Sequence, residues 1–586
     1  MQKFLYLVMA ALLALPMTTF AADQEDAMIS ELQKQIQELS EELEDLNDRV
    51  DGAERHATLD RIEFSGDLRS RAHSLHYNDV TFNPGIQVDY TDFFNKAAVW
   101  QTDNPSGSGA ALNTLFTNLA KNDPEMFTML QNMMGAYMMD PVNNAPGVGN
   151  FRLVTAPETS DINNDILYDT RMRLNMKAKV WDNVKFSGRL AMYKNWGDST
   201  GSQVFDSWRA FTMDGTNVGN TTGDYLRVDR AYMDWSNIAD TGMYLSIGRR
   251  PSTYGPPTEV RENELRGGTP TGNVMFLNFD GITVGRSLED LTGIEGMVAR
   301  FCYGQGFESE WGNGELFNDL RTTKDTHFAG FNFDLYNDGQ NFFQTTIFTA
   351  QDINDGFKGN IAFPTQYAEL FAPTLYKDMQ KFPNFNFETR YQPSTTIGDI
   401  NLAGMVFSRA EDNGIKWFTS VGWTQMRPNG NAGMFGGMGT DAVFEAELSA
   451  DGTEIYMVPK NASEDKNRDG YGFYAGVQVP APYGKAGLEY NYGSKYWTPF
   501  TQGQDDSLGS KLATRGHVGE AYYIFDINPK MFIKVAGLYY DFEYSNSGSP
   551  VGKPKKIDDI KDGNAYSLLP VIDTAYDLNA SLTVQF

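Results

Sequence analysis

From about Arg61 onward the chain alternates apolar and polar residues in run after run of about ten positions. A period of two sends successive side chains to opposite faces of a strand. Such runs begin near Ile62, Leu167, Val184, Leu226, Met243, Val274, Ile294, His327, Asn341, Thr396, Ile415, Gly470, Lys485, Leu512, Met531 and Ile572. They predict about sixteen strands, each long enough to cross a bilayer at a tilt. In the final run Tyr576, Leu578, Ala580, Leu582, Val584 and Phe586 are apolar and the residues between them polar. An apolar aromatic at a chain end needs something to hold it.

The segments between the runs fall into two classes. Short turns such as 181–183, 336–340, 411–414, 480–484 and 527–530 alternate with long polar stretches near 75–165, 197–224, 252–272, 307–325, 353–394, 428–468, 498–510 and 546–570. Short turns at one end and long loops at the other mark an up-and-down transmembrane β-barrel of the outer-membrane kind. The fold class read from the pattern is therefore all-β, an antiparallel barrel over 59–586 whose last strand pairs with its first and leaves no open edge. An even strand number puts both ends of the barrel on the short-turn, periplasmic side.

Ahead of the barrel the period changes. Ile29, Leu32, Ile36, Leu39, Leu43, Leu46 and Val50 alternate three and four residues apart, the seam of a coiled coil over 22–58 that calls for partner helices. Residues 1–21 carry Lys3, an apolar run from Phe4 to about Leu15, then Thr19 and Ala21 before a cleavage point, the form of a secretory signal peptide. Expected localisation is the bacterial outer membrane, with the coiled coil in the periplasm.

Composition narrows the chemistry. The net charge is −28, which argues against nucleic acid as a partner, and Cys302 is the sole cysteine, so no internal disulfide can form. No stretch after the leader reaches the length of a membrane-spanning helix. Nucleophile-elbow, zincin and P-loop patterns are missing and the five histidines are scattered, so no enzyme and no cofactor are expected.

Within this acidic chain the inward positions of the first five strands are basic. Opposite the apolar phase lie Arg69 and Arg71, then Arg171, Arg173, Lys177 and Lys179, then Lys185 and Arg189, then Arg230, then Arg250. Two readings stand: cations paired with inward carboxylates such as Glu63, Asp67, Asp169 and Asp234, or a ladder guiding anions through a pore. The loop after the fifth strand, PSTYGPPTEVRENELRGGTPTG, brings Glu259, Glu262 and Glu264.

VDRAYMDW and GRRPSTYGPPTEVREN resemble segments of a proteobacterial domain-of-unknown-function family of outer-membrane porins. The loop position is similar to that of the constriction loop of trimeric general porins. That resemblance implies acids facing a basic wall at the narrowest point, and a homotrimer. Phe586 after alternating apolar residues resembles the C-terminal signal read by the outer-membrane barrel assembly machinery. The coiled coil ahead of the barrel is similar to the sucrose-porin branch of the sugar porins.

Two further signals are weaker. Asp123 and Pro124 open a loop helix with Met126, Met129, Met133 and Met134 on one face, suited to apolar gap-filling. Asp465, Asn467 and Asp469 begin like a calcium loop, but Gly476 stands where a bidentate Glu is required, so a turn is the better account. The expectation is a diffusion channel for small hydrophilic solutes with an anion preference. The alternatives are a sugar-specific porin and a structural anchor tethered through its coiled coil.

Overall fold

The computed structural model describes residues 62–82, 86–88, 151–153, 157–197, 226–309, 323–355, 359–363, 387–391, 395–433, 435–448, 455–462, 465–567 and 569–586. The signal peptide, the heptad segment and the methionine-rich helix lie outside these residues.

Sixteen strands form one closed antiparallel barrel, each paired with its neighbours in the chain. They are β1 (Ile62–Phe82), β2 (Glu158–Trp181), β3 (Val184–Asn195), β4 (Arg227–Ile238), β5 (Met243–Arg250), β6 (Phe279–Ser287), β7 (Val298–Phe307) and β8 (Thr326–Asn337). The second half comprises β9 (Asn341–Asn354), β10 (Thr396–Ala410), β11 (Lys416–Pro428), β12 (Arg468–Ala481), β13 (Gly484–Gly493), β14 (Gly516–Asn528), β15 (Met531–Phe542) and β16 (Thr574–Gln585). The alternation predicted in the sequence is the alternation of burial: along β16, Ala575, Asp577, Asn579, Ser581 and Thr583 are buried inside while Leu578 and Leu582 are exposed outside.

Turns at one end are short, such as 182–183, 338–340, 482–483 and 529–530, and connections at the other are long, such as 196–226, 355–395 and 429–467. The outer face carries an apolar belt, with Ile347, Met405 and Leu488 each at least half exposed. Toward the short-turn rim it carries exposed aromatics, Trp181, Trp417, Tyr483 and Phe525. Among the described residues no helix is long and apolar enough to cross a membrane.

Closure comes from β1 against β16, in register from Asp67 opposite Gln585 to Asn78 opposite Thr574. Phe586 extends that ladder. Its N–H donates to the Gly66 carbonyl at 3.0 Å, and the Gly66 N–H donates back to the Phe586 carbonyl at 2.9 Å. A Cβ on Gly66 would collide with the Phe586 ring and the Arg173 carbonyl, so only glycine fits there.

Two predicted strand starts are corrected. Val274 does not begin a strand: Val274, Met275, Phe276 and Leu277 are all buried, without the in-out alternation of a wall strand, and β6 begins at Phe279. Leu512 lies in a single 3₁₀ turn, Lys511–Ala513, and β14 begins at Gly516. In both cases the apolar residues are packed inside the barrel rather than laid into its wall.

Candidate functional site

The lumen is occupied. The connections 251–278, between β5 and β6, and 494–515, between β13 and β14, fold inward and meet in a short parallel ladder. The Phe276 N–H donates to the Phe500 carbonyl, the Phe500 N–H to Val274, and the Gly503 N–H to Phe276, at 2.5, 3.0 and 2.7 Å. These bonds satisfy backbone groups that have no access to water.

One side of this plug is apolar. Met275, Leu277 and Phe500 pack against inward residues of β8 to β11, among them Phe328, Phe348 and Leu402, with the Phe328 and Phe500 rings edge to face at 5.2 Å. A glycine row continues the seat: Gly404, Gly422, Gly472 and Gly493 stand opposite one another on β10 to β13. Added Cβ atoms would strike Val274 at the first two and Trp497 at the last three. Trp497 is wholly buried in that bay and donates its indole N–H to the Leu512 carbonyl at 2.7 Å.

The other side is ionic. Arg69 and Arg71 reach Asp169 of β2 and Asp505 of the second loop. Arg171 reaches Asp67, Asp505 and Glu264, with Glu262 at 4.0 Å, and Arg173 reaches Asp67 and Glu264. The loops bind each other through Arg261 and Asp506, and Arg261 also meets Glu520 of β14 at 3.1 Å. Lys511 lies between Glu489 and Glu520 at 2.5 and 2.6 Å, and Tyr474 donates its hydroxyl to Glu489 at 2.6 Å. His73 has its two ring nitrogens against Asp577 and Asp169, at 2.9 and 2.7 Å.

The predicted wall therefore divides. Arg69, Arg71, Arg171, Arg173 and Arg189 are buried and ion-paired, Arg189 to Asp229. Arg230 and Arg250 meet neutral groups: Arg230 donates to the carbonyl and hydroxyl of Thr253, Arg250 to the hydroxyls of Ser246 and Thr283. Lys177 and Lys185 are exposed, and Lys179 pairs with Asp182 at the β2–β3 turn. Of the loop acids, Glu264 meets the basic wall and Glu262 lies between Arg261 and Arg171. Glu259 does not join them. Its Oε2 is buried without a partner, and burial pushes its carboxyl up to about 7, against the pull of a backbone hydrogen bond and of Arg266 and Lys416.

The calcium candidates are not assembled as a site. Asp469 accepts from Trp423 and Gln425, and no group of metal-binding side chains occurs among the described residues.

Several members of the network escaped the sequence reading. Asp229 is one: a bulge between Arg189 and Leu190 in the β3–β4 pairing brings it to the inner face beside Arg230, which strict alternation forbids. Asp505, Asp506 and Lys511 belong to a segment that reads as an ordinary polar loop. The signal that could have exposed the second loop is the run of inward glycines on β10 to β13, since glycine weakens a strand unless something approaches closely.

A cavity of about 30 Å³ remains between the plug and the wall, bounded by Arg69, Arg171, Arg261, Lys534, Glu262 and Asp577. That is room for a water or two.

The barrel is similar to OprB of Pseudomonas putida (TM-score 0.38, 9% identity, 91% of this chain and 97% of that one). It is also similar to the outer-membrane expressed OmpT of Vibrio cholerae (0.35, 9%, 90% and 97%) and to Salmonella typhi OmpF in complex with daunomycin (0.35, 9%, 90% and 97%). Likeness at this level carries no argument about function. No curated protein matches in sequence. A family model described as "Protein of unknown function (DUF3373)" matches residues 161–586, most of the barrel, and the chain belongs to that family.

Proposed function

We propose that the protein is an outer-membrane porin whose passage for small hydrophilic solutes runs through a lumen narrowed by the two infolded loops. The observation that carries this reading is the division of faces: charge and hydrogen-bonding groups inside, an apolar belt outside with aromatics at its short-turn rim. That is the surface a bilayer requires of a barrel. The short-turn end would then be periplasmic. Assembly would pass through the barrel assembly machinery, and the coiled coil would favour a homotrimer.

Anion preference, in this reading, does not come from the buried arginines, whose charges are met by Asp67, Asp169, Asp229, Asp505 and Glu264. It comes from Lys177 and Lys185, exposed near the short turn of β2 and β3. The test is planar-bilayer conductance with reversal potentials in a salt gradient. Lys177→Gln with Lys185→Gln should move the reversal potential toward cations, most strongly at low salt. A conducting double variant with unchanged selectivity removes the anion assignment.

The packed lumen supports a second reading, a plugged structural anchor. Absence of conductance from folded protein, with or without the plug loops, would favour it.

A further inference from the structure

At the corner where β2, β3 and β4 meet the first infolded loop, Arg230 has no carboxylate of its own, its hydrogen-bond partners being the carbonyl and hydroxyl of Thr253. Arg189 and Arg230 stand directly opposite each other on β3 and β4. Asp229 is the carboxylate between them. Its Oδ2 accepts from Arg189 and its Oδ1 from Asn278. Arg230 is left with two long hydrogen bonds, 3.4 Å each, to the carbonyl and hydroxyl of Thr253. Nearby, Asp67 and Glu264 are shared by Arg173 and Arg171.

Donors without acceptors gather at this corner. Arg173 Nη1, Arg189 Nη2, Arg230 Nε and the hydroxyls of Tyr193 and Tyr254 are all buried and unpaired. The Arg173 and Arg189 guanidinium carbons lie 5.4 and 5.7 Å from the centre of the Tyr254 ring. Below them is Ala191, opposite Arg173 across the strand pair and two residues from both Arg189 and Tyr193. A buried donor without an acceptor loses its hydration with nothing in return, so five at one place call for a shared acceptor.

We propose that a monovalent anion of halide size occupies this corner, held by Arg173, Arg189, Arg230, Tyr193 and Tyr254, and pins the first loop to the wall. One guanidinium without a carboxylate of its own asks for one negative charge. The donors are single N–H and O–H groups from separate side chains, which suits a small spherical anion. The site does not depend on whether solutes pass through the barrel.

The test uses the folded full-length protein in detergent micelles, with chloride or bromide titrated against gluconate at constant ionic strength. The unfolding midpoint should rise saturably with either halide, by at least about 1 °C. Arg230→Gln removes the guanidinium that lacks a carboxylate and should abolish the halide response without lowering the midpoint in gluconate. Crystals grown in bromide should give an anomalous peak beside Tyr254. Coincident halide and gluconate curves for the wild-type protein, or a full halide response in Arg230→Gln, would overturn the proposal. If that variant does not fold, the wild-type titration and the bromide peak still decide.

Discussion

Lys511 ties the plug's ionic side to two carboxylates of the wall. Its ammonium is the shared partner of Glu489 and Glu520, and all three are buried. Removing one partner of a buried ion pair strands the others, at about 3–5 kcal/mol. Lys511→Met should therefore lower the denaturant midpoint substantially, whereas Lys179→Met, at an exposed turn, should change it little. Glu259 makes the opposite case, a carboxyl buried without a cation partner. With its ordinary value near 4.5 raised to about 7, the folded chain holds a proton that the unfolded chain has released across that window. Unfolding then releases a proton, so stability falls as pH rises from about 4.5 to 7, by at most about 3 kcal/mol. Glu259→Gln should flatten that part of the pH profile; an unchanged slope between pH 5 and 8 would show that the group does not titrate there.

The barrel strands were legible because outward-facing and lumen-facing positions differ in kind at every second residue, and thirteen of the sixteen predicted starts lie inside an observed strand or within two residues of one. The plug was not legible, for the same reason. Val274 to Leu277 and Leu512 are as apolar as wall residues, and a sequence period does not distinguish a segment laid in the wall from one packed against its inner side. Arg69, Arg71, Arg171, Arg173 and Arg189 of the expected wall are buried, yet the partners from the second loop lie more than 300 residues from Arg171 in the chain, as with Asp505, and no local pattern announces them. Trp497 tests the plug as an element. Trp497→Ala empties the glycine bay, should cost about 3–5 kcal/mol of packing, and should raise open probability or conductance in bilayers if the second loop restricts the path. Loss of stability with conductance unchanged would separate the loop's structural role from any gating role.

At the scale of the molecule, the sorting of connections by length gives the barrel a direction. Epitopes inserted at 546–549, in the β15–β16 connection, should be labelled on intact cells, and epitopes at 412–413 only after the outer membrane is opened. The reverse pattern would invert the assigned orientation. The contact between β1 and β16 carries a further implication, about timing. Neighbouring hairpins can zip as soon as both strands are present, but the Asp67 to Gln585 pairing spans nearly the whole barrel sequence. Until β16 arrives, the outer edge of β1 is an open template on which any passing strand could add. A chaperone that shields β1 while the later strands are delivered would therefore do more for yield than one acting on any central hairpin.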